Sequence, residues 1–239
     1  MQRSMIRLLS AADALSVSNA IFGFLAVLVL VSNIFEYDFS IRLSLSFILI
    51  GLLVDGIDGI VARKIGSSSI GDYLESMADM TTLVIAPSVF IYFVYLGVVE
   101  NFLDKYVYLV FSLVLFLSLG IIRLASFHIM KKDEVFVGLP ASAGTIILLV
   151  LGYFKVDLVY ILPAIVIIGA LMASNIHFLK PDLRINGFAF ILIILTIIFG
   201  KNYYGFAPVL LFVGIIIYSV LGPVYIHFFE KKKDTKVSK

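Results

Sequence analysis

Long apolar stretches, broken by short clusters of Gly, Asn, Pro and charged residues, run through nearly the whole chain. A helix needs about 20 apolar residues to cross about 30 Å of hydrocarbon. The pattern predicts eight spanning segments near 15–33, 41–63, 71–97, 105–128, 138–154, 157–175, 186–200 and 205–228. The fifth to seventh are short, so two of them could lie partly at the interface. Residues 1–12 set Met1, Met5, Leu8, Leu9 and Ala12 largely along one face, with Arg3 and Arg7 elsewhere, the pattern of a short helix lying on the membrane surface. A frayed leader is the alternative for this segment. No small-residue cleavage pattern follows the run from Ala20 to Val31, so the first span is expected to be retained.

Composition turns these segments into a fold class. Of 239 residues, 62% are apolar and only 14% charged, with a mean hydropathy of +1.11. The missing polar surface must be replaced by contact with lipid. Lipid cannot satisfy backbone N–H and C=O groups, so the expected fold is an all-α polytopic membrane bundle. A net charge of +2, with its basic residues in short loops rather than a stripe, argues against a nucleic-acid partner. The absence of cysteine excludes disulfides, thiolate nucleophiles, zinc–thiolate sites and iron–sulfur clusters. With both termini cytoplasmic, the cytoplasmic side collects all basic residues except Arg42, Lys105, Lys155 and Lys201, the bias expected of inner loops. The tail from residue 230 to 239 reads as a basic cytoplasmic segment drawn to anionic lipid.

Acidic side chains inside spans cost about 2.5–3.5 kcal/mol each, so a group of them needs a reason. Asp55 and Asp58 lie i, i+3 near the inner end of the second span, and Glu75 and Asp79 lie i, i+4 at the start of the third. The short loop between the spans predicts antiparallel neighbours with the four carboxylates converging. Bare like charges would repel there, which calls for a cation. Oxygen donors with no Cys or His nearby select a hard ion such as Mg²⁺, Mn²⁺ or Ca²⁺. Asp72 shares a face with Glu75 and Asp79 and competes with Glu75 as the third ligand. Gly56, Gly59, Ala62 and Gly71 are small where something must come close; tight helix packing is the bland explanation, and room for a nucleotide is the functional one. Arg63 is suited to holding a phosphate, although an interfacial arginine also snorkels.

The run D55-G-I-D58-G59-I-V-A62-R63, seven spacer residues, then G71-D72-Y-L-E75-S-M-A-D79 resembles the signature of the CDP-alcohol phosphatidyltransferase family, D-x-x-D-G-x-x-A-R followed by G-x-x-x-D-x-x-x-D. Glu75 stands where the family usually has Asp, and the spacer is one residue shorter than usual. The resemblance implies a six-helix core over residues 13–185, followed by a C-terminal pair of spans at 186–229. It also implies one or two Mg²⁺ or Mn²⁺ ions on Asp55, Asp58, Glu75 and Asp79, with Asp79 as the catalytic base. Gly59, Ala62, Arg63 and Gly71 would sit at the CDP moiety of an activated lipid. A homodimer is a further implication.

The segments I-I-R123-L-A-S-F-H-I-M, V-F-V-G138-L-P140-A-S-A and L-M-A-S-N175-I-H177-F-L-K180-P are similar to those of phosphatidylserine and archaetidylserine synthases. This favours serine as the acceptor. Serine brings a carboxylate, for which Arg123 and free N–H groups at a helix start near Gly138 are candidates, with Asp72 as a further substrate contact. Lys131 and Lys132, with Lys180 and Arg184, would instead suit an inositol-phosphate or glycerol-phosphate acceptor. His128, His177 and His227 read as interfacial residues at inner helix ends. Ser18 and Asn19 read as hydrogen-bonding a neighbouring helix. Intramembrane acids also mark cation transporters, the rival reading from another class, and a purely structural bundle is the weakest.

Overall fold

The computed structural model describes residues 9–32, 34–66, 68–127, 129–130 and 135–237; the side chains of 62–65, 183 and 227–237 lie outside this description. Residues 1–8 of the expected surface helix, together with Lys131, Lys132 and His128, also fall outside it. The part of that helix that is described differs from expectation. Ser10 is extended (φ −98°, ψ 173°) and caps the first span, so residues 11 and 12 belong to the span itself.

Among the described residues the chain folds into helices α1 (Ala11–Val31), α2 (Tyr37–Ile65), α3 (Gly71–Asp79), α4 (Ala86–Val99), α5 (Leu103–Phe127), α6 (Ala141–Tyr153), α7 (Leu158–Met172), α8 (Leu183–Phe199) and α9 (Asn202–Val237). A π-helical turn, Met80–Ile85, joins α3 to α4, so these form one span from Gly71 to Val99. The eight expected spans are therefore present as helices. Five are long and apolar enough to cross a membrane, whereas α6, α7 and most of α8 are the short apolar ones. Backbone at Tyr203, Tyr204 and Gly205 has positive φ, which breaks the start of α9 and brings the regular helix close to the expected 205.

The π turn has a local cause. Pro87, in the first turn of α4, has no N–H to give to the carbonyl four residues back, that of Leu83. Thr145 on α6 takes up that carbonyl, donating its hydroxyl to Leu83 O at 2.6 Å in a fully buried position. α1 approaches the same turn closely: a Cβ on Gly23 would lie 2.4 Å from Thr82 Oγ1, so only glycine permits this crossing. The interior is otherwise filled by Leu30, Ile41, Ile48, Leu83, Phe90, Ile91 and Phe116, each nearly inaccessible.

One feature departs from an all-helical plan. Val135–Val137 and His177–Leu179 pair as a two-stranded antiparallel ribbon that ties the α5–α6 and α7–α8 connections together. His177 is thus a strand residue opposite Val137, not the end of a helix. Gly138 follows the first strand with φ +78°, and a Cβ there would sit 2.3 Å from the Met172 carbonyl oxygen. Its N–H donates to Ile176 O at 2.7 Å and that of Leu139 to Leu171 O at 2.9 Å, while Pro140 has none. The helix starts only at Ala141, so the Gly138 and Leu139 N–H groups are already used and the open N–H groups of the helix start lie beyond Pro140. Gly138 is a hinge of the ribbon. Gly138→Ala should therefore destabilise the protein by more than about 2 kcal/mol from strain and collision together, seen as a lower detergent melting temperature in the absence of any substrate.

Candidate active site

The polar face of α1 is built first. Ser10 and Asp13 form a capping box, with the Ser10 N–H donating to Asp13 Oδ2 at 2.6 Å and the Asp13 N–H to Ser10 Oγ at 3.2 Å. Asp13, Ser16 and Asn19 recur every third residue on one face, and all are buried. Ser16 Oγ donates to Asp58 Oδ2 at 2.8 Å, and Asn19 Nδ2 donates to Asp79 Oδ1 at 3.2 Å. Thr82 Oγ1 donates to the Asn19 carbonyl at 2.8 Å, fixing α1 against the π turn. The Asp13 carboxylate also reaches a hydrogen bond from Ser68 in the α2–α3 connection.

The acids of α2 and α3 meet across this stripe. The carboxyl groups of Asp55 and Asp79 are within hydrogen-bonding reach of each other, and both residues are half-buried. Asp58 is buried beside Ser16, and Glu75 is close enough for its charge to act on Asp55, Asp58 and Asp79. Asp72 instead lies on the exposed side of α3, where its backbone carbonyl accepts from Ser76 Oγ at 3.0 Å. Of the two competitors for the third acid, Glu75 is the one that joins the cluster.

The expected direct packing of α2 on α3 is not what brings the acids together. Among the described residues these two helices barely touch; both rest on α1 and converge only further along, at the π turn and α4. The carboxylates therefore face one another across a cleft. A Cβ on Gly56 would meet no protein atom within 4 Å, so this glycine does not serve helix packing. Gly59 lies one turn beyond, Ala62 and Arg63 lie in the last turn of α2 with undescribed side chains, and Gly71 opens α3 in a buried position.

Two carboxylates as close as Asp55 and Asp79 need a proton or a cation between them. An all-oxygen donor set suits a hard divalent ion, so the residues fit one by chemistry and by mutual approach. Among the described residues no three of them are already closed into a ligand shell. The remaining charged group is Arg123 on α5, 7% exposed, lying over the Phe127 ring at 5.1 Å. Its Nε has no hydrogen-bond partner, and the charge of Asp79 acts on it without closing to an ion pair. Phe127 continues to Phe136 at 6.3 Å, over which Lys180 Nζ sits at 5.5 Å.

Asp13, Ser16 and Thr82 were not among the residues singled out from sequence, although the three-residue recurrence of Asp13, Ser16 and Asn19 in an apolar helix was the available signal. Asn19 does bond a neighbouring helix as expected. Ser18 does not: it is half-buried and donates to Ala14 O of its own helix at 2.8 Å.

A cleft of carboxylates at the ends of two consecutive spans, inside an otherwise apolar bundle, defines a class. The chain belongs to the CDP-alcohol phosphatidyltransferase family, which it matches over residues 9–222. It is an integral membrane transferase of phospholipid biosynthesis, and the transporter reading gives way. It is similar to the CDP-diacylglycerol--serine O-phosphatidyltransferase of Methanocaldococcus jannaschii, 30% identical over 220 residues that cover 90% of this chain and 97% of the relative. It is also similar to the archaetidylserine synthase of Methanothermobacter thermautotrophicus, 28% identical over 178 residues, covering 71% and 70%. The phosphatidylcholine synthase of Pseudomonas aeruginosa is 30% identical over 177 residues, covering 70% and 67%.

The α1 contacts predict a contrast between adjacent positions. Asn19→Leu, which keeps the volume and removes the donor to Asp79, should lower the transfer rate by about tenfold or more. Ser18→Ala should leave it within about twofold. Initial rates of CMP release from the two purified variants check this.

Proposed function

We propose that this enzyme transfers a phosphatidyl or archaetidyl group from a CDP-activated lipid to the hydroxyl of L-serine, releasing CMP. The observation that carries the reading is the approach of Asp55 and Asp79 from consecutive spans, with Asp58 and Glu75 beside them. Those four carboxylates would hold Mg²⁺ or Mn²⁺, which when bound offsets the charge of the pyrophosphate and of the departing CMP.

The chain's own groups divide the remaining work. Arg63, at the end of α2, is suited to the phosphates, and the small residues Gly59, Ala62 and Gly71 would leave space for the nucleotide. Asp79 accepts the proton of the serine hydroxyl as its oxygen bonds to the lipid-side phosphorus; the bond from that phosphorus to the bridging oxygen breaks, and CMP leaves with that oxygen. Asn19, donating to one oxygen of Asp79, steadies the carboxyl for this role. Acyl or ether chains enter between helices, and the polar substrates come from the cytoplasm, where the excess of Lys and Arg puts the cleft.

Serine is favoured over neutral or cationic acceptors by Arg123. A buried guanidinium with a free Nε is costly unless something pairs with it, and a carboxylate at the acceptor site would do so. Two relatives bear serine-transfer names, which agrees with this choice. Choline, the acceptor suggested by the third relative's name, has no group for Arg123.

The deciding assay incubates purified protein with CDP-diacylglycerol or CDP-archaeol, Mn²⁺ and, separately, serine, choline, inositol phosphate or glycerol phosphate, and follows CMP. Serine alone should support rapid release; equal rates with a phosphorylated acceptor would sink the assignment. EDTA should abolish activity, with Mg²⁺ or Mn²⁺ restoring it. Asp55→Asn and Asp79→Asn should each reduce the rate by at least about a hundredfold while the melting temperature stays near wild type. Arg123→Gln should raise KM for serine by about tenfold or more, the loss expected for one charge-assisted bond.

A further inference from the structure

At the opposite end of the bundle three cations, one from a helix and two from connections, meet. Arg42 lies in the second turn of α2, Lys155 in the α6–α7 turn and Lys201 in the α8–α9 turn. The 13 residues from Arg42 to Asp55 put this group about 20 Å along α2 from the carboxylate cleft.

The three are held by specific contacts. Arg42 Nη2 donates to Ile198 O at 3.1 Å, in the last turn of α8. Lys155 Nζ lies 2.9 Å from Asp38 Oδ1 and 4.6 Å from the centre of the Tyr37 ring. Lys201 Nζ lies 4.8 Å from the centre of the Tyr153 ring. The Gly200 backbone rests against Tyr153 Oη and Arg42 Nε, since an added Cβ would lie 2.8 and 3.3 Å from them. The charges of both Lys155 and Lys201 act on Asp38, and Lys155 and Lys201 act on each other.

This arrangement works against itself in two ways. Lys155 closes the C-terminus of α6 in the left-handed region at φ 52°, a conformation disfavoured for a non-glycine residue. Partial burial and the nearby Lys155 also push the Lys201 ammonium below its ordinary range. One carboxylate, Asp38, stands among three cations, and it is largely exposed. Facing cations with one exposed carboxylate between them offer a place to a further anion. The surroundings say which kind: Tyr203 and Tyr204 are exposed beside Lys201, and exposed Phe206 and Val209 follow on α9, the mixture of aromatic, basic and apolar side chains found at a headgroup level.

We infer that Arg42, Lys155 and Lys201 form a binding site for the phosphate of an anionic lipid headgroup, on the membrane face opposite the carboxylate cleft. The lipid's chains would lie along α8 and α9. The site is independent of which acceptor the enzyme uses.

Native mass spectrometry of the full-length protein in detergent, titrated with phosphatidylglycerol, phosphatidylcholine or inorganic phosphate, tests this. Wild type should prefer phosphatidylglycerol to phosphatidylcholine, and the Lys155→Gln/Lys201→Gln pair should lose about tenfold to thirtyfold of the phosphatidylglycerol affinity. Asp38→Asn removes the competing carboxylate and should strengthen binding, so the site can be judged even if the double variant folds poorly. Equal affinity of wild type and a folded double variant, or weaker binding by Asp38→Asn, overturns the inference. Displacement of the lipid by millimolar inorganic phosphate also overturns it, because the site would then take a free anion.

Discussion

Placing carboxylates in a medium that cannot hydrate them is the constraint from which the rest of this structure follows. Each ionised group at membrane depth costs several kcal/mol unless protein or a cation replaces water. α1 is the protein's share of that replacement. Its buried Ser16 and Asn19 donate to Asp58 and Asp79, and its buried Asp13 ties down the α2–α3 connection. The remaining deficit lies between Asp55 and Asp79. That deficit is useful, because a transferase that handles pyrophosphate needs a site where positive charge is wanted.

The π turn after Asp79 belongs to the same solution. α3 must aim Glu75 and Asp79 into a cleft, whereas α4 must bury Phe90, Ile91 and Val94 in the core. A single regular helix would lock the phase between those two faces. A wider turn changes that phase within one span, and the carbonyl it would leave bare is taken by Thr145. Thr82, inside the turn, bonds the α1 backbone beside Asn19. The distortion is thereby anchored by α1 and α6 and serves the acids directly.

Helical periodicity made part of this legible in the sequence. Asp55 with Asp58, and Glu75 with Asp79, each had to share a face, and the span limits followed from Gly, Asn, Pro and charge. Periodicity assigns a residue to a face but does not name the neighbour across it. Ser16 and Asp58 are 42 residues apart, and Asn19 and Asp79 are 60 apart, so those pairs required the tertiary arrangement. The same gap explains the expectation that α2 and α3 pack directly: a short loop implies adjacency, yet both helices rest on α1 and approach each other through their acids. It explains Ser18 as well, since two adjacent polar residues on α1 point in different directions and only one meets another helix.

The ribbon limits which backbone groups stay open at this end of the bundle. α6 has 13 residues and α7 has 15. At 1.5 Å per residue they extend about 20–23 Å, short of about 30 Å of hydrocarbon. The connections at the end of that hairpin have to pair part of their backbone, because bare N–H and C=O groups are not tolerated in lipid. The Val135–Val137 and His177–Leu179 strands do so, and the Gly138 and Leu139 N–H groups close the junction onto Ile176 and Leu171. The Gly138 and Leu139 donors are thus committed to keeping the hairpin closed. On the proposed reading, Arg123, buried one element away with its Nε free, is the side chain that meets an acidic acceptor beside Asp79.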